Sequence, residues 1–229
     1  MTREESVKKV KDILVNNSVY GAYHKQNFDA FSAYGENAPI NSSILYNMPT
    51  GAIVLSEDVY FALTTVMDIT STSYQEFPFF LYGKEQGNNN VVFDEFFSAS
   101  SQRYGNQALF DDRMNENITN KVRYNPAPNL VVCHGHSHPP IGNYHQNFSL
   151  GDFASYVALN ESTPEFKSGR VELTGCLVTS TGDINFVYYD NKARNFYRYT
   201  NVYVREYNGN LVPVNCYGMN QGEQTQMSQ

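Results

Sequence analysis

Four of the five histidines in this 229-residue chain lie between positions 134 and 145. His136 and His138 stand two residues apart, directly after the apolar run 130–133. Because residues i and i+2 of a β-strand point to the same face, an extended chain here would aim both imidazoles at one point. Imidazole nitrogen is a ligand that suits zinc. The spacing therefore predicts two ligands of a metal ion.

A third ligand of a different type follows along the chain. Asp152 falls in the first turn of a helix that the sequence predicts over 151–159, and Ser149 is a natural N-cap for that helix. The intervening residues, 139–148, form a loop long enough to fold back toward the histidines. Two imidazoles and one carboxylate leave the fourth position of a tetrahedral site open, as in catalytic zinc centres.

The order of these residues resembles the signature of the JAMM metalloproteases, also called MPN+ domains. That signature is an upstream Glu, then His-x-His-Pro, then Ser-x-x-Asp, and this chain has Glu76, 136–139 and 149–152 in the same order. In the family the Glu opens an apolar strand that runs into Leu-x-Gly, and residues 77–83 are similar; the likeness spans about residues 50–205. The chain departs from the family in a longer loop, 139–148, and in Pro78, which predicts an edge or bulged strand after Glu76.

The resemblance implies one Zn²⁺ per chain, held by His136, His138 and Asp152. It further implies that Glu76 acts as general acid and base and that Ser149 donates a hydrogen bond to the developing oxyanion. The implied activity is zinc-dependent hydrolysis of isopeptide or peptide bonds by activated water, for example at the C-terminus of ubiquitin or a ubiquitin-like modifier. The expected partner is thus a protein or peptide substrate.

Two other functions remain open at this point. Some relatives of the fold have lost metal ligands and serve as non-catalytic scaffolds, but the intact ligand set disfavours that role here. A RadC-type branch carries a similar His-Asn-His-Pro motif and is linked to DNA. Ser137 replaces the Asn of that branch, and a net charge of −7 offers no bulk attraction for phosphates, so no nucleic acid is expected.

Each candidate residue also has a plainer interpretation. His136, His138 and Asp152 would be polar loop residues if the motif were fortuitous, and Glu76 would be an exposed carboxylate at a strand start. Ser149 can act as the N-cap of the helix, and it can combine this role with donation to the oxyanion. His134 shares the strand face of the pair and is expected to line the cleft or to support the ligands, rather than to bind the metal itself. His145 is expected to be a loop residue rather than a ligand.

Composition limits the remaining possibilities. A hydrophobic content of 41% is enough for a sizeable core. Cys133, Cys176 and Cys216 form neither a zinc knuckle nor an even disulfide framework, and Cys133 ends an apolar run, so it is predicted to be core rather than a nucleophile. The charged N-terminus is unlike a signal peptide, and no apolar run reaches the ~20 residues that cross a bilayer. A soluble cytoplasmic protein without membrane contact is expected.

The pattern of elements predicts a mixed α/β (α+β) fold, with a central mixed sheet flanked by helices in a single MPN-type domain over 50–207. An N-terminal helix and irregular extension (1–49) would precede this domain, and a polar, flexible tail (208–229) would follow it. The sequence predicts helices over 3–15, 56–67, 109–122 and 151–159, and strands over 52–55, 77–82, 91–97, 130–133, 171–179, 184–189 and 196–204.

Overall fold

The computed structural model describes residues 1–16, 35–99, 103–104, 107–108, 111–124, 126–141 and 145–216. The helices are α1 (Arg3–Asn16), α2 (Glu57–Ser73), α3 (Asp112–Thr119), α4 (Leu150–Ser162) and α5 (Pro164–Lys167). The strands are β1 (Pro39–Ile40), β2 (Tyr46–Asn47), β3 (Ile53–Ser56), β4 (Pro78–Glu85), β5 (Val91–Phe97), β6 (Arg103–Tyr104), β7 (Gln107–Ala108), β8 (Leu130–His138), β9 (Phe148–Ser149), β10 (Glu172–Thr179), β11 (Ile184–Asp190), β12 (Asn195–Arg198), β13 (Val202–Arg205) and β14 (Leu211–Pro213).

Ten of the described strands form one mixed sheet in the order β14-β13-β3-β5-β4-β8-β10-β11-β12-β2. Helix α2 packs on one face, and α1 and α4 pack on the other. The predicted mixed α/β class with helices flanking a central sheet is therefore confirmed. Among the described residues, each helix is too short or too polar to cross a membrane.

The sheet curls because two strands that are close in sequence lie far apart in the sheet order. The sequence predicted one strand over 196–204, which is wrong: β12 pairs with β11 and β13 pairs with β3. These two strands are seven places apart in the sheet order, about 34 Å if the sheet were flat. The chain from Arg198 to Val202 spans at most about 14 Å. The two ends of the sheet must therefore approach each other.

Helix α2 forms where the sequence predicted it. Ser56 is the N-cap, and its hydroxyl accepts a hydrogen bond from the Val59 amide. Val59, Leu63 and Val66 recur at helical spacing and are buried against the sheet. The helix extends past the predicted end to Ser73, and the next residue, Tyr74, takes a left-handed conformation that stops it. Residues 75–77 then lead directly into β4.

Strand β4 is central, which corrects the expectation that Pro78 would mark an edge or a bulge. It pairs with β5 on one side and β8 on the other, and its one irregularity lies at Tyr82/Gly83. Pro78 is the first residue of the strand, and pairing with β5 begins only at Phe80. A proline is tolerated at the first position of a strand, where its missing N–H costs no ladder bond.

The chain before residue 50 joins the core of the domain where it is described. Val10, Ile13 and Leu14 of α1 share a hydrophobic cluster with α4. Strand β2 pairs with β12 at the sheet edge, and β1 pairs with β9. At the other end, β14 pairs with β13, so residues 211–213 of the predicted polar tail belong to the sheet. The helix predicted over 109–122 is observed as α3 followed by a π-turn at Asn120–Tyr124, and residues 109–110 lie outside the described part.

Candidate metal centre

Strand β8 carries all three of its histidines on one face. The apolar run predicted as a short strand over 130–133 continues through the motif to His138. The strand is flanked by β4 and β10, so its backbone is hydrogen-bonded on both sides. His136 and His138 are 7% and 9% exposed. The strand thus presents both imidazoles from a rigid, buried element.

Helix α4 supplies the carboxylate through its N-terminal cap. Ser149 and Asp152 form a capping box: the Ser149 amide donates to Asp152 Oδ2 at 2.7 Å, and the Asp152 amide donates to Ser149 Oγ at 3.1 Å. This reciprocal pair orients the Asp152 carboxylate. Its Oδ1 lies 3.3 Å from His136 Nε2. The predicted cap and the predicted ligand are therefore held by the same turn.

The three predicted ligands lie close enough together to bind one metal ion. The two Nε2 atoms of His136 and His138 are 3.0 Å apart, and His138 Nε2 is 3.6 Å from Asp152 Oδ2. Neighbouring ligand atoms of a tetrahedral zinc ion, at about 2.0–2.1 Å from the metal, lie about 3.3–3.4 Å apart. Among the described residues, His136, His138 and Asp152 are the group of histidine, cysteine and acidic side chains able to hold a metal ion.

A backbone contact selects the tautomer of His138. Its Nδ1 lies 3.2 Å from the carbonyl oxygen of His145. A carbonyl only accepts, so Nδ1 carries the proton and the lone pair is left on Nε2, which faces His136 and Asp152. His145 thus supports the site through its main chain rather than as a ligand.

Glu76 reaches the site from the segment before β4. Its Oε1 is 3.9 Å from His138 Nε2, and its side chain is 14% exposed. The carboxylate therefore stands beside the ligands but outside the group able to hold a metal ion. Ser149 lines the same cleft. All five predicted site residues therefore lie together, although Glu76 is distant from the others in sequence.

The sequence did not single out the residues that hold Glu76 in place. Ser137 lies between the two histidines on the opposite face of β8 and is fully buried. Its Oγ accepts a hydrogen bond from the Phe77 amide at 2.9 Å, and its amide donates to the Phe77 carbonyl at 3.0 Å. The Thr70 hydroxyl of α2 lies 2.5 Å from the same Oγ. Only the pairing of β8 with the segment before β4 reveals this role, because a serine in that position has no distinctive sequence signal.

The three ligand side chains shift one another's pKa values. Burial opposes a charge on His136, but the Asp152 carboxylate outweighs it and raises the pKa of His136. The nearby imidazoles and the Ser149 amide overcome the opposite effect of burial and lower the pKa of Asp152 well below its usual range. Burial, followed by the charge of His136, lowers the pKa of His138 to about 4. A carboxylate with one neutral imidazole and one that readily exchanges its proton for a cation is a suitable donor set for Zn²⁺.

His134 lies behind the ligands, as expected from its place on the strand face. Its ring makes edge contacts with Phe80 and Tyr156, and burial lowers its pKa to about 3. It is therefore a neutral packing residue at neutral pH. Cys133 is fully buried in the cluster beneath α2, which confirms its prediction as core.

An open cleft of about 290 Å³ adjoins two of the three ligands, His138 and Asp152. It is lined by Glu76, His138, Ser149 and Asp152 and by Asn37, Pro39, Pro139, Ile141, His145 and Asn147. A larger cavity of about 370 Å³ lies along β11, but its described lining contains Asp183 and Arg198 without any histidine or pair of carboxylates. The chemically capable groups therefore line the 290 Å³ cleft and a smaller pocket of about 70 Å³, which contains His136.

No protein-family model matches the chain, and no curated protein matches it. Among solved structures, the chain is similar to a protein from Desulfitobacterium hafniense determined in solution. The two are 13% identical with a TM-score of 0.40, over 67% of this chain and 93% of that one. At that level the similarity indicates neither a shared fold nor a shared function.

Proposed function

We propose that this chain is a zinc-dependent hydrolase of the JAMM type that cleaves peptide or isopeptide bonds. The observation that carries the proposal is that His136, His138 and Asp152 lie close enough together to bind one metal ion, with the Glu76 carboxylate 3.9 Å from His138 Nε2. Metal sites with a closed set of four protein ligands are structural, whereas three ligands facing an open cleft are typical of catalysis.

Zinc bound by these three residues would lower the pKa of a coordinated water to about 7 and polarise a substrate carbonyl. Glu76 would accept the proton of the attacking water and deliver it to the leaving amine. Ser149 Oγ accepts from the Asp152 amide, so its own proton is free to be donated toward the developing oxyanion. The same residue can thus cap α4 and stabilise charge in the transition state.

The leaving group is expected to be an amine from a protein or peptide. The cleft of about 290 Å³ beside the ligands is open to solvent, and Glu76, the proposed general acid, lines it. A lysine ε-amine joined to the C-terminus of a ubiquitin-like modifier is one such substrate. An α-amine of an ordinary peptide is the other.

The test combines metal content with hydrolysis. Wild-type protein should contain about one zinc per chain by elemental analysis, and His138→Ala should lose it. Glu76→Gln should keep the zinc while kcat falls about 10²- to 10⁴-fold on lysine-linked isopeptides and on ubiquitin fused to a fluorogenic amine. Glu116→Gln, an exposed carboxylate on α3, is the matched control and should leave kcat unchanged.

Two outcomes would contradict the proposal. Wild-type protein refolded with zinc and then found free of it would exclude the metal site. Zinc-loaded protein that is inert on both substrate types would exclude the hydrolase and leave a metal-bearing scaffold.

A further inference from the structure

The N-terminal part of the chain reaches the turn that presents Asp152. Strand β1 pairs antiparallel with β9, with Pro39 opposite Ser149. The Leu150 amide, at the first position of α4, donates to the Ala38 carbonyl at 2.8 Å. Residues 38–39 therefore contact Ser149, the first residue of the capping box that orients the carboxylate, and the residue that follows it.

Arg3 ties the same turn to α1. Its guanidinium donates to the Gly151 carbonyl at 3.0 Å and to Ser155 Oγ at 2.9 Å, both on α4. Its Nε donates to Glu36 Oε2 at 2.8 Å. A planar guanidinium can hold several acceptors in fixed relative positions, which an ammonium group does not do. Arg3 thus joins the residue before Asp152 to the residue before Asn37.

Stability alone does not account for this arrangement. The side chains of Arg3 and Glu36 are 45% and 44% exposed, and exposed ion pairs contribute about 0–1 kcal/mol. A cation beside the N-terminus of α4 also meets the positive end of the helix dipole, which is unfavourable. These contacts therefore matter more for how they orient the turn that carries Asp152 than for the stability that they add.

The segment held by Arg3 forms one wall of the cleft. Asn37 and Pro39 face the cleft on this side, and Pro139, Ile141 and Asn147 lie on the other. Apart from the metal-site residues and His145, the side chains that line the cleft are uncharged. The side-chain amide of Asn37 is exposed, so it can both donate to and accept from a peptide main chain.

We propose that Arg3 is a positioning residue of the metal centre and that residues 35–40 are a substrate-binding wall of its cleft. The inference rests on the proposed hydrolase function and adds to it the use of the N-terminal region. The wall binds an uncharged, extended stretch of peptide main chain through Asn37. Arg3 holds this wall and the Asp152 turn in a fixed position relative to each other.

The first experiment measures zinc affinity by competition with a chromogenic chelator. Arg3→Ala should weaken zinc binding about tenfold, as loss of residues that orient metal ligands does. Arg3→Lys should give an intermediate loss because it keeps the charge without the fork. Lys9→Ala is the matched control: Lys9 joins α1 to Glu161 farther along α4, away from the ligands, so the zinc affinity should not change.

The second measurement is independent of zinc. Hydrogen exchange of the Leu150 amide in metal-free protein should be faster in Arg3→Ala than in Lys9→Ala or wild type, because the Ala38 carbonyl loses its anchored position. Equal zinc affinity and equal exchange in Arg3→Ala and wild type would overturn the positioning role. Equal losses in Arg3→Ala and Lys9→Ala would also overturn it, since they would reflect docking of α1 alone.

The third measurement addresses the wall. Asn37→Ala should raise KM for a lysine-linked isopeptide about fivefold, the loss of roughly one hydrogen bond, with kcat and zinc affinity unchanged. Asn115→Ala, on the exposed side of α3, should leave KM unchanged. An unchanged KM in Asn37→Ala would overturn the proposal that residues 35–40 bind substrate. Failure of the proposed function would instead appear as wild-type protein that binds no zinc or hydrolyses neither substrate.

Discussion

The two faces of β8 use the same strand for different purposes. One face carries His134, His136 and His138 toward α4 and the cleft. The other carries Cys133 and Ser137 toward α2. Both faces are buried, so burial by itself does not separate the chemical residues from the structural ones.

The difference lies in how the polar atoms are satisfied. On the α2 face, Ser137 Oγ has two protein partners, the Phe77 amide and the Thr70 hydroxyl. On the cleft face, two imidazole nitrogens face each other and a carboxylate, an arrangement that could hold a metal ion. A buried polar group that is hydrogen-bonded within the protein, as Ser137 is, stabilises the fold. Donor atoms that converge on one position can instead bind a ligand.

The largest effect on this comparison is expected from Ser137→Ala. The change leaves the Phe77 amide and the Thr70 hydroxyl without their buried partner, which should lower the free energy of unfolding by about 1–3 kcal/mol. Because Phe77 adjoins Glu76, kcat should also fall about tenfold, less than the roughly 10²- to 10⁴-fold contribution of a general base. Thermal melts, kcat and zinc content measure the three quantities, and the zinc content should stay near wild type.

Ser71→Ala is the control for that substitution. Ser71 lies on α2 and its hydroxyl bonds only the Met67 carbonyl of its own helix. It should change neither kcat nor zinc content. A loss of zinc in Ser137→Ala would show that the hydrogen bonds on the α2 face of β8 also support the metal site on the cleft face.

A smaller effect, on stability alone, is expected from Cys133→Ala. The thiol is fully buried beneath α2, so its removal leaves a small cavity that should cost about 1 kcal/mol. Zinc content and kcat/KM should remain within about twofold of wild type. Abolished hydrolysis in a folded, zinc-bound Cys133→Ala protein would restore the alternative of a nucleophilic thiol.

The smallest effect is expected from Glu172→Gln, and it depends on pH. Glu172 begins β10 beside Val131, and burial raises its pKa, with further contributions from Glu85 and Asp190. A carboxyl that holds its proton more tightly in the folded state than in the unfolded chain loses stability as pH rises from the unfolded pKa through the folded one. Removing the charge should therefore raise Tm by about 1–2 °C at neutral pH.

At about pH 3.5 the carboxyl is protonated in both states, so wild type and Glu172→Gln should melt at the same temperature. Paired melts at the two pH values separate this charge effect from a packing effect. An equal Tm difference at both pH values would indicate packing. Zinc content should be unaffected, since Glu172 lies at the opposite end of the strand pair from the ligands.

Much of the candidate site was predictable because its signals are local. The spacing of His136 and His138 encodes a shared strand face, and Ser149 with Asp152 encodes a helix cap. Ser56 and the apolar residues of α2 likewise predicted that helix. Each of these patterns depends on residues that are close together in the sequence.

The less predictable parts depend on contacts between distant residues. The split between β12 and β13 follows from pairing with opposite ends of the sheet, which no local pattern records. Pro78 was misjudged because the order of strands, rather than the residue, decides whether a strand is central. The roles of Ser137 and Arg3 depend on hydrogen bonds to segments 60 and 148 residues away in sequence.

By itself, the sequence determined the donor types, their order along the chain and the local geometry that aims each one. The tertiary structure decided that Glu76, the histidine pair and Asp152 meet, and that the N-terminal segment stands beside them. The physical reason is that side-chain direction follows from local backbone geometry. The meeting of distant segments follows instead from burying apolar faces on a sheet whose strand order is set by the whole chain.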